Sequence, residues 1–364
     1  MIIDSHTHIF YKWLGDCGLP KEIHLKYIQK NMTHPSAKVF RSRDGVEGDP
    51  QQLYRHGDES WEGLYDDIKF RIGPYGRIEF TVEGEDYYIQ YMPVAMMQIE
   101  STPEFMISQM NVSGVSHCIL QAGFTYGYMN DYNSKAQKNF PKRFTGLMHT
   151  NEPMADKEFW MQEMQRAKYQ LGLEGIYFSL EGFSRYGFRW WFDDFRFNAF
   201  WEMIASFNIP VFIELSSIPS YDQIGYENNL SRLEKIMIRH PDIRWLLVMG
   251  PPVKYYANKG KWHFSEIAQR VYSRETVQLE ICFPIMWGGV WEYPFLEAQN
   301  LIKDLRDKFG VHKLIWGSDM PNLERFCTYK QGLDYILKHS KELNSNEKDQ
   351  ILGGNLMELI PIFN

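Results

Sequence analysis

The sequence predicts a parallel α/β fold, eight strands alternating with helices, with one long insertion after the first strand. Three observations carry this. Apolar runs of strand length recur between segments of helical length from about residue 102 onward. The first run, Ile2-Ile3, leads into Asp4-Ser5-His6-Thr7-His8. The last, Leu314-Ile315-Trp316, leads into Gly317-Ser318-Asp319 and then Pro321, which breaks a strand. Counting strands leaves open whether they close into a barrel or form an open doubly wound sheet. In a barrel, the first and last strands are neighbours.

The elements follow in order. Residues 11 to about 100 do not keep the alternation: 21–29 read as a short helix, 45–49 and 57–58 are rich in turns, and 70–89 read as a β-hairpin turning at Glu83-Gly84-Glu85. An insertion after the first strand of a barrel lies where strand-to-helix loops build sites. Residues 11–100 are therefore read as an inserted cap on one domain, 1–364, with a surface or subunit-contact flap as the other reading. Residues 102–113 form a helix with Pro103 in its first turn and Gly114 at its end. The second to seventh strands are 115–121, 144–149, 175–179, 209–215, 243–249 and 277–283. The intervening helices are 133–139, 155–171, 198–207, 229–240, 262–272 and 293–309. The eighth strand is 314–319, and helices over 329–343 and 345–359 end the chain.

On a strand, His6 and His8 leave the same face, and two imidazoles together suit a divalent ion such as zinc, manganese or iron. By the same alternation Asp4 shares that face, where it can orient an imidazole.

Asp4-Ser5-His6-Thr7-His8 at one end and Gly317-Ser318-Asp319 at the other resemble the amidohydrolase superfamily. More narrowly, the chain is similar to the branch that holds aminocarboxymuconate-semialdehyde decarboxylase and its relatives. The resemblance covers most of the chain. It implies a (β/α)8 TIM barrel and a single divalent metal ion, zinc first, with manganese or iron as alternatives. In that family the fifth strand ends in a metal-binding histidine; here the matching position is Glu214, so the implied ligands are His6, His8, Glu214 and Asp319. Glu214 also reads as a buried acid paired with a cation. The family's sixth strand ends in a histidine that polarises substrate or carries a proton; here Met249 stands there and cannot titrate.

His149, at the end of the third strand, is the candidate to stand in as the proton carrier, against a hydrogen-bonded loop histidine. Asp319 is the candidate base that takes a proton from a metal-bound water. Glu280 and Cys282 share a face of the seventh strand and read as core or supporting residues. Arg325, after the eighth strand, is the candidate to hold a substrate carboxylate, and Arg185 and Arg189 lie similarly after the fourth. Trp287 and Trp291 are candidate walls of an apolar pocket, whereas the aromatic stretch 186–201 reads as packing.

The resulting expectation is a metal-dependent hydrolase acting on a small carboxylic acid, ester, amide or lactone. A nonoxidative decarboxylase or hydratase of an aromatic or unsaturated acid is the alternative. A barrel that has lost catalysis and binds a ligand, or a metal-free lactone hydrolase, are further readings.

Composition sets bounds. Hydrophobic residues make up 44% and charged residues 23%, a core-forming balance. The net charge of −7 and the absence of a basic stripe argue against nucleic acid. Cys17, Cys118, Cys282 and Cys327 form no Cys-x-x-Cys pair and read as free thiols in a reducing compartment. No signal-peptide pattern or membrane-spanning run is seen, so a cytoplasmic protein is expected. The expected partner is a small-molecule substrate, and the resemblance implies a homodimer.

Overall fold

The computed structural model describes residues 1–361 except 34–36, 56, 59 and 288, with residues 286 and 287 described by their backbone only. Eight parallel strands follow the chain: β1 (Ile3–Thr7), β2 (His117–Leu120), β3 (Phe144–Gly146 continuing as Met148–His149), β4 (Ile176–Ser179), β5 (Val211–Glu214), β6 (Trp245–Val248), β7 (Val277–Ile281) and β8 (Leu314–Trp316). Each pairs with its sequence neighbour, as a (β/α)8 barrel requires. The ladder is not one unbroken ring. It parts inside β3 at Leu147, so that β1–β3 and β3–β8 form separate sheets. Between β8 and β1 it is carried by a single bridge, Thr7 to Met320, with His8 N donating to Met320 O and Asp319 N to His6 O, both at 2.8 Å.

The strands are buried on both faces and read as apolar runs for that reason. One layer of the core gathers Ile3, Ile119, Leu147, Tyr177, Phe212, Leu246 and Ile315, from seven of the strands, against Leu356 and Leu359 of the last helix. In-register pairing sets Ser179 beside Glu214 and Glu214 beside Val248, so the carboxyl ends of β4, β5 and β6 form one rim.

The helices begin and end where the sequence signals them. Pro103–Ser113 starts with the Thr102 hydroxyl accepting from Phe105 N and stops at Gly114, whose φ of 83° is the left-handed region glycine enters without strain. Boundaries shift by a few residues elsewhere: the helix expected over 262–272 begins at Glu266, and Lys261–Trp262 is a short strand.

The insertion carries helix Lys21–Met32 and a five-stranded antiparallel sheet. Arg77–Val82 and Glu85–Gln90 form the expected hairpin, turning at Glu83-Gly84. The insertion has its own apolar cluster, including Phe80, Ile89 and Met92, which continues onto Ala122, Tyr126 and Met129 after β2.

Candidate metal centre and its cavity

His6 and His8 come from the end of β1, and Asp319 follows β8 with φ 62°. Three ligand atoms converge. His6 Nε2 and His8 Nε2 are 3.1 Å apart, Asp319 Oδ1 is 2.9 Å from His8 Nε2, and it is 3.7 Å from His6 Nε2. All three residues are buried.

The hydrogen bonds behind the rings assign their tautomers. His8 Nδ1 lies 3.0 Å from the carbonyl oxygen of Gln121, and His6 Nδ1 lies 2.9 Å from Glu280 Oε2. Each partner is an acceptor, so each Nδ1 carries the proton and each neutral ring turns a bare lone pair on Nε2 inward. Two lone pairs and a carboxylate oxygen, Asp319 Oδ1, which also accepts from Asn322 Nδ2 at 2.8 Å, then face one another. They repel unless a cation lies among them. Ligands about 2.0–2.2 Å from a zinc-like ion stand about 3.0–3.6 Å from one another, and the observed 2.9, 3.1 and 3.7 Å lie within about 0.1 Å of that range. The residues fit a divalent ion. An extra proton is the competing cation: burial pulls the His6 imidazole down, but Glu280 and Asp319 outweigh this and raise it to about 9. For Asp319, burial pushes the carboxyl up, and His6 and His8 more than offset this, holding it below the usual carboxylate range.

Glu280 is the supporting carboxylate. Fully buried, it accepts from His6 Nδ1, from Met249 N at 2.8 Å and, on Oε1, from Ser5 Oγ at 2.6 Å. Cys282 also lies close to His6 and Glu280. Its thiol is pushed well up by burial and by the carboxylates around it, and so stays protonated. Asp4 does not orient an imidazole. The register of β1 against β2 shifts between Asp4 and Thr7, which breaks the alternation. The Asp4 carboxylate instead accepts from Ser318 N, Ser318 Oγ and Tyr329 OH, fastening β1 to the segment after β8.

The open side of the triad faces a cavity of about 170 Å³. Glu214 lines it from the end of β5, accepting from the Tyr177 hydroxyl and from Ser179 Oγ at 3.1 Å. Among the described residues, the groups whose ligand atoms all lie within 4.8 Å of one another include His6, His8 and Asp319 but not Glu214. Met249 is on the wall as well. So are Glu152 and Glu181, which follow β3 and β4. Burial raises Glu152 to about 7. Burial and then Glu214 raise Glu181 to about 8. Tyr27, Lys30, Asn31, Thr33 and Tyr91 of the insertion complete that side.

The structure does not bring the remaining candidates to this cavity. His149 is buried behind the wall, with Nε2 accepting from Met129 N at 2.9 Å and its ring against Phe124. Burial and then Arg185 push it down to about 3, so it is a neutral packed histidine and no proton carrier near neutral pH. Arg325 is exposed, because the turn Asn322–Arg325 carries it outward, and its Nε donates to Asn322 O. Trp291 is half-buried with its edge toward Phe283. The Trp287 side chain lies outside the described residues. Arg185 is the arginine that reaches the wall. The stretch 186–201 packs: Phe192, Phe197, Phe200 and Trp201 are core. Tyr177 was legible as the residue two before Ser179 on the same strand face, and Glu152 as an acid just beyond the third strand. Nothing in the sequence points to Lys30.

Comparison with known proteins accords with this arrangement. The family model described as amidohydrolase matches residues 3–361. The chain belongs to the amidohydrolase family. No curated protein matches it. Similar solved structures include a probable 2-pyrone-4,6-dicarboxylic acid hydrolase from Acinetobacter baumannii with citric acid bound, 19% identical, covering 71% of this chain and 89% of that one, TM-score 0.51. A 2,6-dihydroxybenzoate decarboxylase complexed with 2,6-dihydroxybenzoate is 13% identical over 74% and 89%, TM-score 0.52. A structure titled amidohydrolase II is 15% identical over 99% of both chains, TM-score 0.54. At these identities the likeness is one of fold. This amidohydrolase is therefore an enzyme of a family whose members generally use a divalent metal, and no helix among its described residues is long and apolar enough to cross a membrane.

Proposed function

We propose that this amidohydrolase hydrolyses a small ester, amide or lactone with one divalent ion held by His6, His8 and Asp319. The observation that carries the reading is the convergence of His6 Nε2, His8 Nε2 and Asp319 Oδ1, all three residues lining one cavity. A divalent ion there polarises a carbonyl and lowers the pKa of water. Asp319, ionised and on the cavity wall, accepts the proton of the attacking water. Glu181, raised to about 8, still holds its proton at pH 7 and can give it to the leaving group. That assigns to an acid after β4 the proton-carrying role the family gives to the sixth-strand histidine, which is Met249 here. The insertion residues on the wall act as a cap that limits water and substrate size. Glu214, tied to Tyr177 and Ser179, positions substrate from the opposite rim.

One observation favours the alternative, decarboxylation or hydration of an acid: a protonated Glu181 is also what delivery of a proton to carbon needs. The four free cysteines fit a cytoplasmic setting, and a homodimer is the assembly we expect.

The test is metal content by plasma mass spectrometry, on wild type and on the His6→Ala/His8→Ala double variant, followed by a substrate screen of the loaded protein. About one zinc, manganese or iron per chain, lost in the variant, with hydrolysis of an ester, amide or lactone, supports the reading. No ion in wild type after loading with each metal overturns it and leaves a ligand-binding barrel.

A further inference from the structure

Tyr91 follows the second hairpin strand of the insertion, Glu85–Gln90, and Tyr126 follows β2; both line the cavity. Their hydroxyls share a hydrogen bond. Burial pushes both phenols up, so each keeps its hydrogen at neutral pH. Two hydroxyls joined by one hydrogen bond leave one hydrogen over. Among the described residues, two amides stand at the ends of this pair. Asn322 Nδ2 lies 3.4 Å from Tyr126 OH and donates to Asp319 Oδ1 at 2.8 Å, so the carboxylate fixes its amino side toward Tyr126. An amino group there accepts nothing. Asn31 Nδ2 lies 3.4 Å from Tyr91 OH. That is beyond the about 2.5–3.0 Å of an O–H···O bond, so neither orientation of the Asn31 amide takes up the hydrogen. Burial decides which phenol carries the surplus. Tyr126 is 5% exposed, its ring stacked on Phe10 and set against His8, and a surplus hydrogen there would be a buried donor without an acceptor. Tyr126 therefore donates to Tyr91, and the half-buried Tyr91 turns its own hydrogen to the cavity.

We propose that the Tyr91 hydroxyl donates to the carbonyl oxygen of the substrate, so that the insertion supplies a binding group as well as a cover. Neighbouring hydroxyls on the wall are otherwise engaged: Tyr177 and Ser179 donate to Glu214. Met249, where the family has a histidine, has no hydrogen to give. This deepens the hydrolase reading and rests on it for the acceptor, the carbonyl of an ester, amide or lactone. The surplus hydrogen itself does not depend on the ion.

The test compares cyclohexanone and methylenecyclohexane, one ring shape with and without an acceptor oxygen, by NMR titration of metal-free and zinc-loaded protein. In the metal-free protein, Tyr91→Phe should weaken the ketone about three- to tenfold, the worth of one neutral hydrogen bond, and leave the alkene within about twofold. Tyr126→Phe should leave the ketone within about twofold, because Tyr91 keeps its hydrogen. Zinc content and Tm of Tyr91→Phe should match wild type. Ketone affinity unaltered by Tyr91→Phe, equal losses for ketone and alkene, a ketone loss in Tyr126→Phe alone, or no ketone binding to wild type overturns the proposal. Failure to bind zinc overturns only the metal assignment, because the ketone is read in the metal-free protein.

Discussion

Glu280→Gln separates the charge of the supporting carboxylate from its hydrogen bonds. Oε2 accepts from His6 Nδ1 at 2.9 Å and from Met249 N at 2.8 Å, and Oε1 accepts from Ser5 Oγ at 2.6 Å. A glutamine carbonyl at the Oε2 position keeps the first two. Its amide then donates to Ser5 Oγ, which can turn to accept. The Ser5 hydroxyl hydrogen and the second amide hydrogen then lack an acceptor, so the metal-free chain should lose about 1–3 kcal/mol of stability. What disappears is the negative charge behind His6. Loss of such an outer partner costs about 10–100-fold in metal affinity, equivalent to about 1.4–2.8 kcal/mol. Glu280→Ala behaves differently. It leaves the His6, Met249 and Ser5 donors unpaired in a site with no exposure, at about 1–3 kcal/mol for each. The assays are chelator competition for zinc affinity and urea unfolding of the metal-free chains. The reasoning fails if the glutamine variant binds zinc within about twofold of wild type, well under the loss expected for an outer partner, or if it is as unstable as the alanine variant.

His149→Gln tests the packed, neutral histidine. Its imidazole is pushed down to about 3 from an ordinary 6.5, so between those values the unfolded chain binds a proton that the folded chain refuses. That group's contribution is therefore lost as pH falls below about 6.5. The glutamine can still accept from Met129 N, and its urea midpoint should drop less from pH 7 to 5 than that of wild type; parallel drops would sink the assignment. Gly317→Ala places a Cβ 2.7 Å from both Glu280 Oε1 and Ser5 Oγ, so unfolding should occur about 1–3 kcal/mol more easily, read as a lower Tm, and an unchanged Tm would contradict the packing. Asp319→Asn should lose the ion and, on any substrate found, about 10²–10⁴-fold in kcat; full metal content with full activity would remove Asp319 from the site.

The alternation of strands and helices, the hairpin turning at Glu83-Gly84 and the meeting of His6, His8 and Asp319 were legible in the sequence. Each depends on local pattern, or on the rule that the first and last strands of a barrel are neighbours. The role of Asp4 was not legible, because a register shift in β1 turns that side chain away from where strict alternation puts it. Nor was that of His149: the sequence places it at a strand end, and only its contacts with Phe124 and Met129 decide that it lies behind the wall and not in the cavity. Glu280 became the partner of His6 through a contact spanning 274 positions, which no local pattern encodes. Lys30 and Tyr91 reach the cavity because the insertion folds back over it. The sequence by itself carried the alternation of strands and helices and, through the ends of the first and last strands, the approach of His6, His8 and Asp319, while it left the closing of the barrel to the family resemblance and set Glu214 among the ligands. The tertiary structure decided which charges face the cavity and in which state, since burial and charge pairing depend on every element packed around each group.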